Sequence, residues 1–501
     1  MADVIQPASA CVLAAADDSR CILTTERNLE LRFFGGYFAF PGGKLDASDG
    51  EVAVRTPSGP MADPHRAAVV RELFEETGIL LARRADGSFP TDSHTWRDER
   101  RALLKGELAF PQFLARKGLH LQAGDLVAAG HLVTPAFSPV RFDTAFFVAQ
   151  APSGQQVEIW PGELVGHRWD HADALLARWS RGEILLSPPT VTLLEAIAGR
   201  SVFDLPARLR LILERLDRGS IPPIFFAPGV QMIPLRTVAL PPTEFTNAFL
   251  VGTSRKYLID PGAHEEAELA RLFEVVDQVD RLDAIVLTHH HPDHVNGVNA
   301  CRQRYGLPVW AHPLTEQALE GTITVERHLV EGERLPLGAS PDGAGEWFLE
   351  TLHTPGHAAG HLAFFEPRYR LLFAGDLVSM LSSVVIAPPD GDLTAYLASL
   401  ERVGKLEARL LLPSHGPPTN KPARVLADAV AHRRKREEEL LRALAGPGPH
   451  TPDSLTAQLY VGLPEQLRFL ARWQLLAGLE KLLRDGRVVR CEGEESIYAL
   501  A

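Results

Sequence analysis

The chain has 501 residues, several times what one hydrophobic core needs, so two or three domains are expected. With 51 Lys and Arg against 63 Asp and Glu, its net charge of −12 argues against a protein that mainly grips long nucleic acid, an affinity built from basic side chains neutralising phosphates. Its four cysteines (Cys11, Cys21, Cys301 and Cys491) make no C-x-x-C pair or regular framework, which argues against a disulfide scaffold and a cysteine zinc site.

From Ala8 to about Arg200 the sequence alternates strand-like runs (CVLAAA, CILTT, FDTAFFVA) with helical ones (PHRAAVVRELFEETG, VTLLEAIA), an α/β or α+β pattern. One helix carries the concentrated chemistry. Asp63 is its expected N-cap, Pro64 its first residue and Gly78 its stop. Glu72, Glu75 and Glu76 are three and four residues apart and share one face of it. A solvated acidic face is the plain reading of such a cluster, but like charges this close repel unless a cation sits among them.

The run Arg71-Glu72-Leu73-Phe74-Glu75-Glu76-Thr77-Gly78-Ile79, with Phe40-Pro41-Gly42-Gly43 upstream, resembles the Nudix hydrolase family. That resemblance implies an α/β/α sandwich that cleaves nucleoside diphosphates linked to another moiety. It implies Mg²⁺ or Mn²⁺ on Glu72, Glu75 and Glu76, with Glu72 and Glu76 catalytic and Arg71 positioning the glutamates. The sequence departs from the family pattern in the long segment between Gly43 and Arg71, where Asp63 stands in for the usual extra glutamate. Glu163 is a candidate further ligand or general base. The stretch from Leu23 through Arg27, Arg32 and Gly36 to Gly43 resembles the coenzyme A diphosphatase signature, and Arg141-Phe142-Asp143-Thr144 adds to that likeness. Arg27 and Arg32 would then bind the phosphates of a nucleotide or coenzyme A substrate, since guanidinium pairs with phosphate bidentately; arginines on a strand edge are the competing reading.

The Pro-rich stretch IPPIFFAPGVQMIPL, starting at Ile221, reads as a connector, with a boundary between 205 and 222. Beyond it, short apolar runs (NAFLVG, YLID, AIVLTHHH, LPVWAH, LLFAGD, LLLPSHG) recur, and many end in His or Asp. Metal ligands at strand ends are the implied design. The strand at Ala284 to Leu287 runs into His289, His291, Asp293 and His294, and His357, Asp376 and His415 follow on separate loops. One loop histidine is ordinarily just a polar residue. Seven donors in this order are not, because neutral imidazoles with interspersed carboxylates suit Zn²⁺.

Thr288 to His294, His353-Thr354-Pro355-Gly356-His357, Gly375-Asp376 and His415 resemble the metallo-β-lactamase superfamily, over roughly Pro234 to Asn420. The likeness implies an αββα sandwich with one metal on His289, His291 and His357, the other on Asp293, His294 and His415, and Asp376 bridging them. Two cations about 3.5 to 4 Å apart lower the pKa of a shared water and polarise the scissile group. Asp293 would orient the nucleophile. His290, His353 and His361 fall outside the ligand positions, and of these His361 is the best candidate for a supporting role.

The tail is helical from Pro422, through HRRKREEELLRALAG and FLARWQLLAGLEKLLRDG, and closes on two strand-like runs, GRVVRCE and SIYALA. It resembles the winged helix of the LACTB2-like branch, whose studied members include endoribonucleases. Its plainest role is packing against the catalytic domain or a second subunit. The basic run from His432 to Arg436 is largely offset by the EEE that follows.

Together these readings predict an α/β multidomain chain: a Nudix domain over 1–205, a metallo-β-lactamase domain over 222–420 and a winged helix over 421–501. The expected activity is a bifunctional, metal-dependent hydrolase, with phosphoanhydride cleavage in the first domain and ester or thioester hydrolysis in the second. Two Zn²⁺ and Mg²⁺ or Mn²⁺ are the expected cofactors. The substrate is a small nucleotide or coenzyme A-type molecule; RNA, as an endoribonuclease substrate, and a second copy of the chain are the other candidate partners. A nucleic-acid-binding sensor with a degenerate site is the rival class. With no basic-then-apolar leader and no run of about 18 apolar residues, the sequence reads as cytoplasmic without a membrane partner.

Overall fold

A computed structural model describes residues 5–32, 34–218, 220, 222–447, 450–491 and 496–501. Ile221, the start of the expected connector, and Glu492, at the end of GRVVRCE, lie outside the described residues. The chain forms two compact units, Met1–Pro228 and Gly229–Ala501.

In the first unit the strand Ile5–Ala14 pairs in parallel along its whole length with Arg141–Gln150. Gly42–Lys44 joins its N-terminal part and Cys21–Arg27 its end, both antiparallel. Leu164–His171 and Tyr37–Ala39 pair antiparallel with Cys21–Arg27, and Val127–Val133 lies outside Arg141–Gln150. Alternation along the central strand builds both faces: Cys11 and Leu13 enter one core with Val69, Val70, Leu73 and Phe74, while Val12 and Ala14 enter a second with Leu175, Leu193 and Leu209. Helices therefore cover the sheet on both sides.

The helix Pro64–Thr77 forms as its ends dictate. Asp63 accepts the N–H of Arg66, Pro64 occupies the first turn, and Gly78, at φ 78°, ends the helix with its N–H on the Phe74 carbonyl. The segment that separates Gly43 from this helix is an antiparallel hairpin, Ala53–Thr56 with Gly59–Ala62, extended by Leu121–Gln122 into its own small sheet. The insertion thus leaves the main sheet intact.

In the second unit one sheet runs Val230–Arg236, Phe245–Gly252, Lys256–Ile259, Ala284–Val286, Val309–Ala311 and Arg327–His328 in that order. The other has five strands, Arg334–Ala339, Glu346–His353, Leu362–Glu366, Leu371–Gly375 and Leu410–Pro413. Phe249 of the first meets Phe373 of the second edge-on, with ring centroids 5.3 Å apart. The opposite face of the second sheet presents Ala363, Leu372, Ala374 and Leu411 to the helices Leu393–Val403 and Pro422–Leu444. Fully apolar strands such as Leu371–Gly375 and Leu410–Pro413 follow from burial on both faces.

Beyond Leu444 the chain adds the helices Pro452–Leu459 and Arg468–Arg484 and an antiparallel strand pair, Val488–Cys491 with Ile497–Leu500. Leu440 and Leu444 of the long helix share a small core with Leu455, Leu479, Leu482 and Val488. Among the described residues no helix is long and apolar enough to cross a membrane.

Candidate metal centre

The donors of the second unit gather beyond strand ends, and the imidazoles of His289, His294, His357 and His415 are each held by an outer partner. Asp260, just after Lys256–Ile259 and at φ 50°, is the pivot. Its carboxylate accepts the Thr288 N–H at 2.8 Å and hydroxyl at 2.6 Å, and meets His294 Nδ1 at 2.8 Å. A non-glycine residue in the left-handed region is held there by its surroundings, as is common at functional sites. His357 Nδ1 donates to the Val385 carbonyl at 2.7 Å, His415 Nδ1 to the Phe245 carbonyl at 3.1 Å, and His289 Nδ1 lies 3.0 Å from Thr288 Oγ1. A carbonyl only accepts, so His357 and His415 carry a proton on Nδ1, which leaves Nε2 as the inward atom able to bind a cation.

The inward atoms converge in two sets. His291 Nδ1 lies 3.0 Å from His289 Nε2 and 2.8 Å from His357 Nε2. His415 Nε2 is 3.2 Å from Asp376 Oδ1 and 3.4 Å from Asp293 Oδ2, and His294 Nε2 is 3.5 Å from Asp376 Oδ1. The other Asp376 oxygen, Oδ2, is 3.3 Å from His357 Nε2, so this one carboxylate faces both sets.

The donors fit cations. His294 Nε2 and Asp376 Oδ1 are buried and have no hydrogen-bond partner, an arrangement that is costly unless an ion completes it. Burial alone would push the His294 imidazole down, but the carboxylates of Asp293, Asp376 and Asp260 outweigh it and hold the group at about 9. In other words, the pocket seeks positive charge. His289, His291 and His357 form one set with donor atoms within 4.8 Å of one another, and Asp293, His294 and His415 form another.

His361 supports this arrangement from beneath. It is fully buried, its Nε2 accepts the Asp376 N–H at 3.0 Å, and its Nδ1 lies 2.8 Å from Thr354 Oγ1. Burial, reinforced by the neighbouring His357, pushes its imidazole down to about 3, so it stays neutral. Gly375 precedes Asp376 at φ 52°, and a Cβ there would fall 2.5 Å from His361 Nε2. His353 packs elsewhere, stacked on His312 with centroids 4.1 Å apart. His290 faces Asp390, whose Oδ2 is 3.7 Å from His290 Nε2 and 3.9 Å from His291 Nε2.

Sequence reasoning did not single out Asp260, Asp390 or Asn247. Asn247 donates to the carbonyls of Pro413 and Gly416 at 2.9 and 2.8 Å, which pins the loop carrying His415. Asp260 ends the YLID run and so bore the strand-end signal. Asp390 and Asn247 bore none.

In the first unit the carboxylate helix is organised by Arg71, which is largely buried. Its Nε and Nη2 bond the two oxygens of buried Asp49 at 2.9 and 3.0 Å, and its Nη1 bonds Glu72 at 2.9 Å and Glu75 at 3.1 Å. Asp49, not Asp63, is therefore the acidic residue before the helix that pairs with Arg71. Asp63 only caps the helix and pairs with Arg66. Glu76 accepts the Gly42 N–H at 2.9 Å, and a Cβ on Gly43 would fall 2.4 Å from the Glu72 carboxyl carbon. Burial raises Glu72, Glu75 (to about 7) and Glu76, with the neighbouring acids adding to it.

Glu163 is exposed and pairs with Arg27 at 2.9 Å, so Arg27 already has an anionic partner. Arg32 is exposed in the turn after Cys21–Arg27. Among the described residues, every set of three His, Cys, Asp or Glu donors packed within 4.8 Å lies in the second unit.

A family profile described as the metallo-beta-lactamase superfamily matches residues 241–415, and one described as a beta-lactamase associated winged helix domain matches 451–496. The Caenorhabditis elegans "Beta-lactamase-like protein 2 homolog" is 31% identical over 247 residues, 48% of this chain and 80% of that protein. A hydroxyacylglutathione hydrolase of Bdellovibrio bacteriovorus is 28% identical, covering 32% of this chain and 57% of that protein. An atrochrysone carboxyl ACP thioesterase of Aspergillus chevalieri is 29% identical, covering 50% and 81% respectively. Among solved structures, a Nudix hydrolase from Alicyclobacillus acidocaldarius is 29% identical over 39% of this chain and 92% of its own, at a TM-score of 0.34. The chain belongs to the metallo-β-lactamase superfamily. It is a hydrolase of that fold with a winged-helix tail.

Proposed function

We propose that the second unit hydrolyses a thioester or ester with two zinc ions, one on His289, His291 and His357, the other on Asp293, His294 and His415, with Asp376 shared between them. The observation that carries this reading is the orientation of the donors: the outer nitrogens of His289, His294, His357 and His415 are engaged, and Asp376 presents one oxygen to each set. Bound zinc supplies Lewis-acid polarisation of the scissile carbonyl and a nucleophile at neutral pH. The chain's own part is orientation and proton handling. Asp293, whose Oδ2 accepts from the Thr246 hydroxyl at 3.4 Å, would orient the attacking water and take its proton. The main chain of Asp376 is held by His361, which leaves both of its carboxylate oxygens for the two sets. Two relatives whose names denote action on an ACP-linked or glutathione-linked acyl group support the thioester class.

We further propose that the first unit, within a module spanning 1–205, is a Nudix diphosphatase acting on a coenzyme A-type or other nucleotide substrate. Its support is the Arg71 clamp on Asp49, Glu72 and Glu75 and the buried, cation-seeking carboxylates of Glu72, Glu75 and Glu76. Mg²⁺ fits there although the donors are spread, because it keeps several of its waters and takes few direct protein ligands. Glu163 would be the general base at the rim, and a bound diphosphate would compete with it for Arg27. The hydrolytic and winged-helix modules would be the expected 222–420 and 421–501, although residues 222–228 belong to the first compact unit and the second starts at Gly229.

The discriminating experiment assays the full chain, Asp376→Ala and the double variant Glu75→Gln/Glu76→Gln against acyl-CoA thioesters, dinucleoside diphosphates and single-stranded RNA. The proposal expects the first variant to lose only thioesterase activity and the double variant only Mg²⁺-dependent diphosphatase activity. RNA cleavage abolished by Asp376→Ala, without thioester turnover, would replace the thioesterase reading with a ribonuclease one.

A further inference from the structure

Resting on the zinc assignment above, we infer that the C-terminal helices set the affinity of the first metal position. They do so by bracing the loop 384–392, with Arg433 and Gln474 as positioning residues. Arg433, on the helix Pro422–Leu444, is buried and donates both to the Val384 carbonyl and, at 2.7 Å, to Gln474 Oε1. Gln474, on the helix Arg468–Arg484, donates to the same Val384 carbonyl at 2.7 Å. Arg484, on that helix too, pairs with Asp392 at 2.5 Å. Three side chains of the tail thus hold one loop at its two ends.

The other side of that loop holds the His357 turn. The Val385 carbonyl takes the proton of His357 Nδ1 at 2.7 Å, the Asp392 N–H binds the Gly356 carbonyl at 2.8 Å, and Asp390 Oδ1 accepts the Ala359 N–H at 3.0 Å. Val384 and Val385 are adjacent, so the carbonyl that Arg433 and Gln474 grip is one residue from the carbonyl that fixes the tautomer and tilt of a ligand imidazole. Burying a guanidinium against a neutral carbonyl costs desolvation, which an apolar side chain filling the same space would avoid. Outer partners of metal ligands commonly govern metal affinity by 10- to 100-fold.

The second position has different supports. His294 leans on Asp260 and His415 on the Phe245 carbonyl, both on the first sheet side and away from the loop 384–392. The brace is therefore selective for one metal.

The test is a zinc titration of the full-length, metal-stripped protein against a chromophoric chelator, which yields both dissociation constants without any substrate. Arg433→Met and Gln474→Leu are expected to weaken one zinc about tenfold or more and leave the other unchanged. The cobalt-substituted variants should show an altered d–d absorption band for that site. Arg472→Ala, which removes only an exposed ion pair with Asp453 inside the tail, should change neither constant. Unchanged zinc constants and cobalt spectra in both brace variants would overturn the inference. Should Arg433→Met fail to fold, Gln474→Leu, which removes only a neutral amide, decides by the same criteria. A wild-type protein that binds no zinc would instead overturn the zinc assignment itself.

Discussion

The Nε2 of His361 accepts the backbone N–H of Asp376 at 3.0 Å, from a fully buried and neutral imidazole. Asp376, the proposed shared ligand, is thus held by its main chain, which leaves both carboxylate oxygens to face outward toward the two donor sets. Since Nε2 accepts, the proton resides on Nδ1 and is donated to Thr354.

His361→Ala is expected to leave the Asp376 N–H without a partner and open a cavity beside it. The cost is about 2 to 4 kcal/mol of stability from the unsatisfied donor and lost packing. Urea unfolding of the metal-free protein should show a lower midpoint, and both zinc affinities should fall because Asp376 serves both sets.

Gly375→Ala should be as damaging as removing the histidine. At φ 52° an alanine is strained, and its Cβ would collide with His361 Nε2. The expected result is loss of zinc and thioesterase activity in a protein whose first-unit activity persists, read by metal analysis and parallel assays of both substrates.

Asp49→Asn should disable the first unit without touching the second. It removes the bidentate partner of Arg71 and leaves a largely buried guanidinium with fewer anions, a change that costs about 3 to 5 kcal/mol for buried pairs. Differential scanning calorimetry should show a downward shift of the first unit's transition together with loss of Mg²⁺-dependent turnover. The comparison Asp63→Asn should lower stability only slightly, because asparagine also caps helices well.

Stripping zinc should lower the unfolding temperature of the second unit. A ligand present at about 1,000 times its dissociation constant contributes about 4 kcal/mol to the folded state. A chelator titration followed by circular dichroism measures this, and Mg²⁺ should not restore the lost stability.

The candidate donors were legible in the sequence because His289, Asp376 and His415 stand just beyond buried apolar strands, where the run breaks off into His or Asp. The capped helix Pro64–Thr77 was legible for a similar reason, since Asp63, Pro64 and Gly78 are local signals. What failed was register across the insertion. Counting back from Arg71 arrives at Asp63, whereas the hairpin 53–62 loops out and lets Asp49, six residues after Gly43, reach the arginine. Asp390, Asn247 and the Arg433–Gln474 pair were invisible for another reason: their partners lie tens to more than a hundred residues away, and only the fold brings them together.

The most direct test of the two-metal account is the zinc content of the purified full-length chain and three variants, measured by mass spectrometry after dialysis. The account predicts two zinc ions per chain in the wild type, one in His357→Ala, one in His415→Ala, and a loss at both positions in Asp376→Ala. Equal zinc content in all four proteins, or a wild type that retains none, would contradict it.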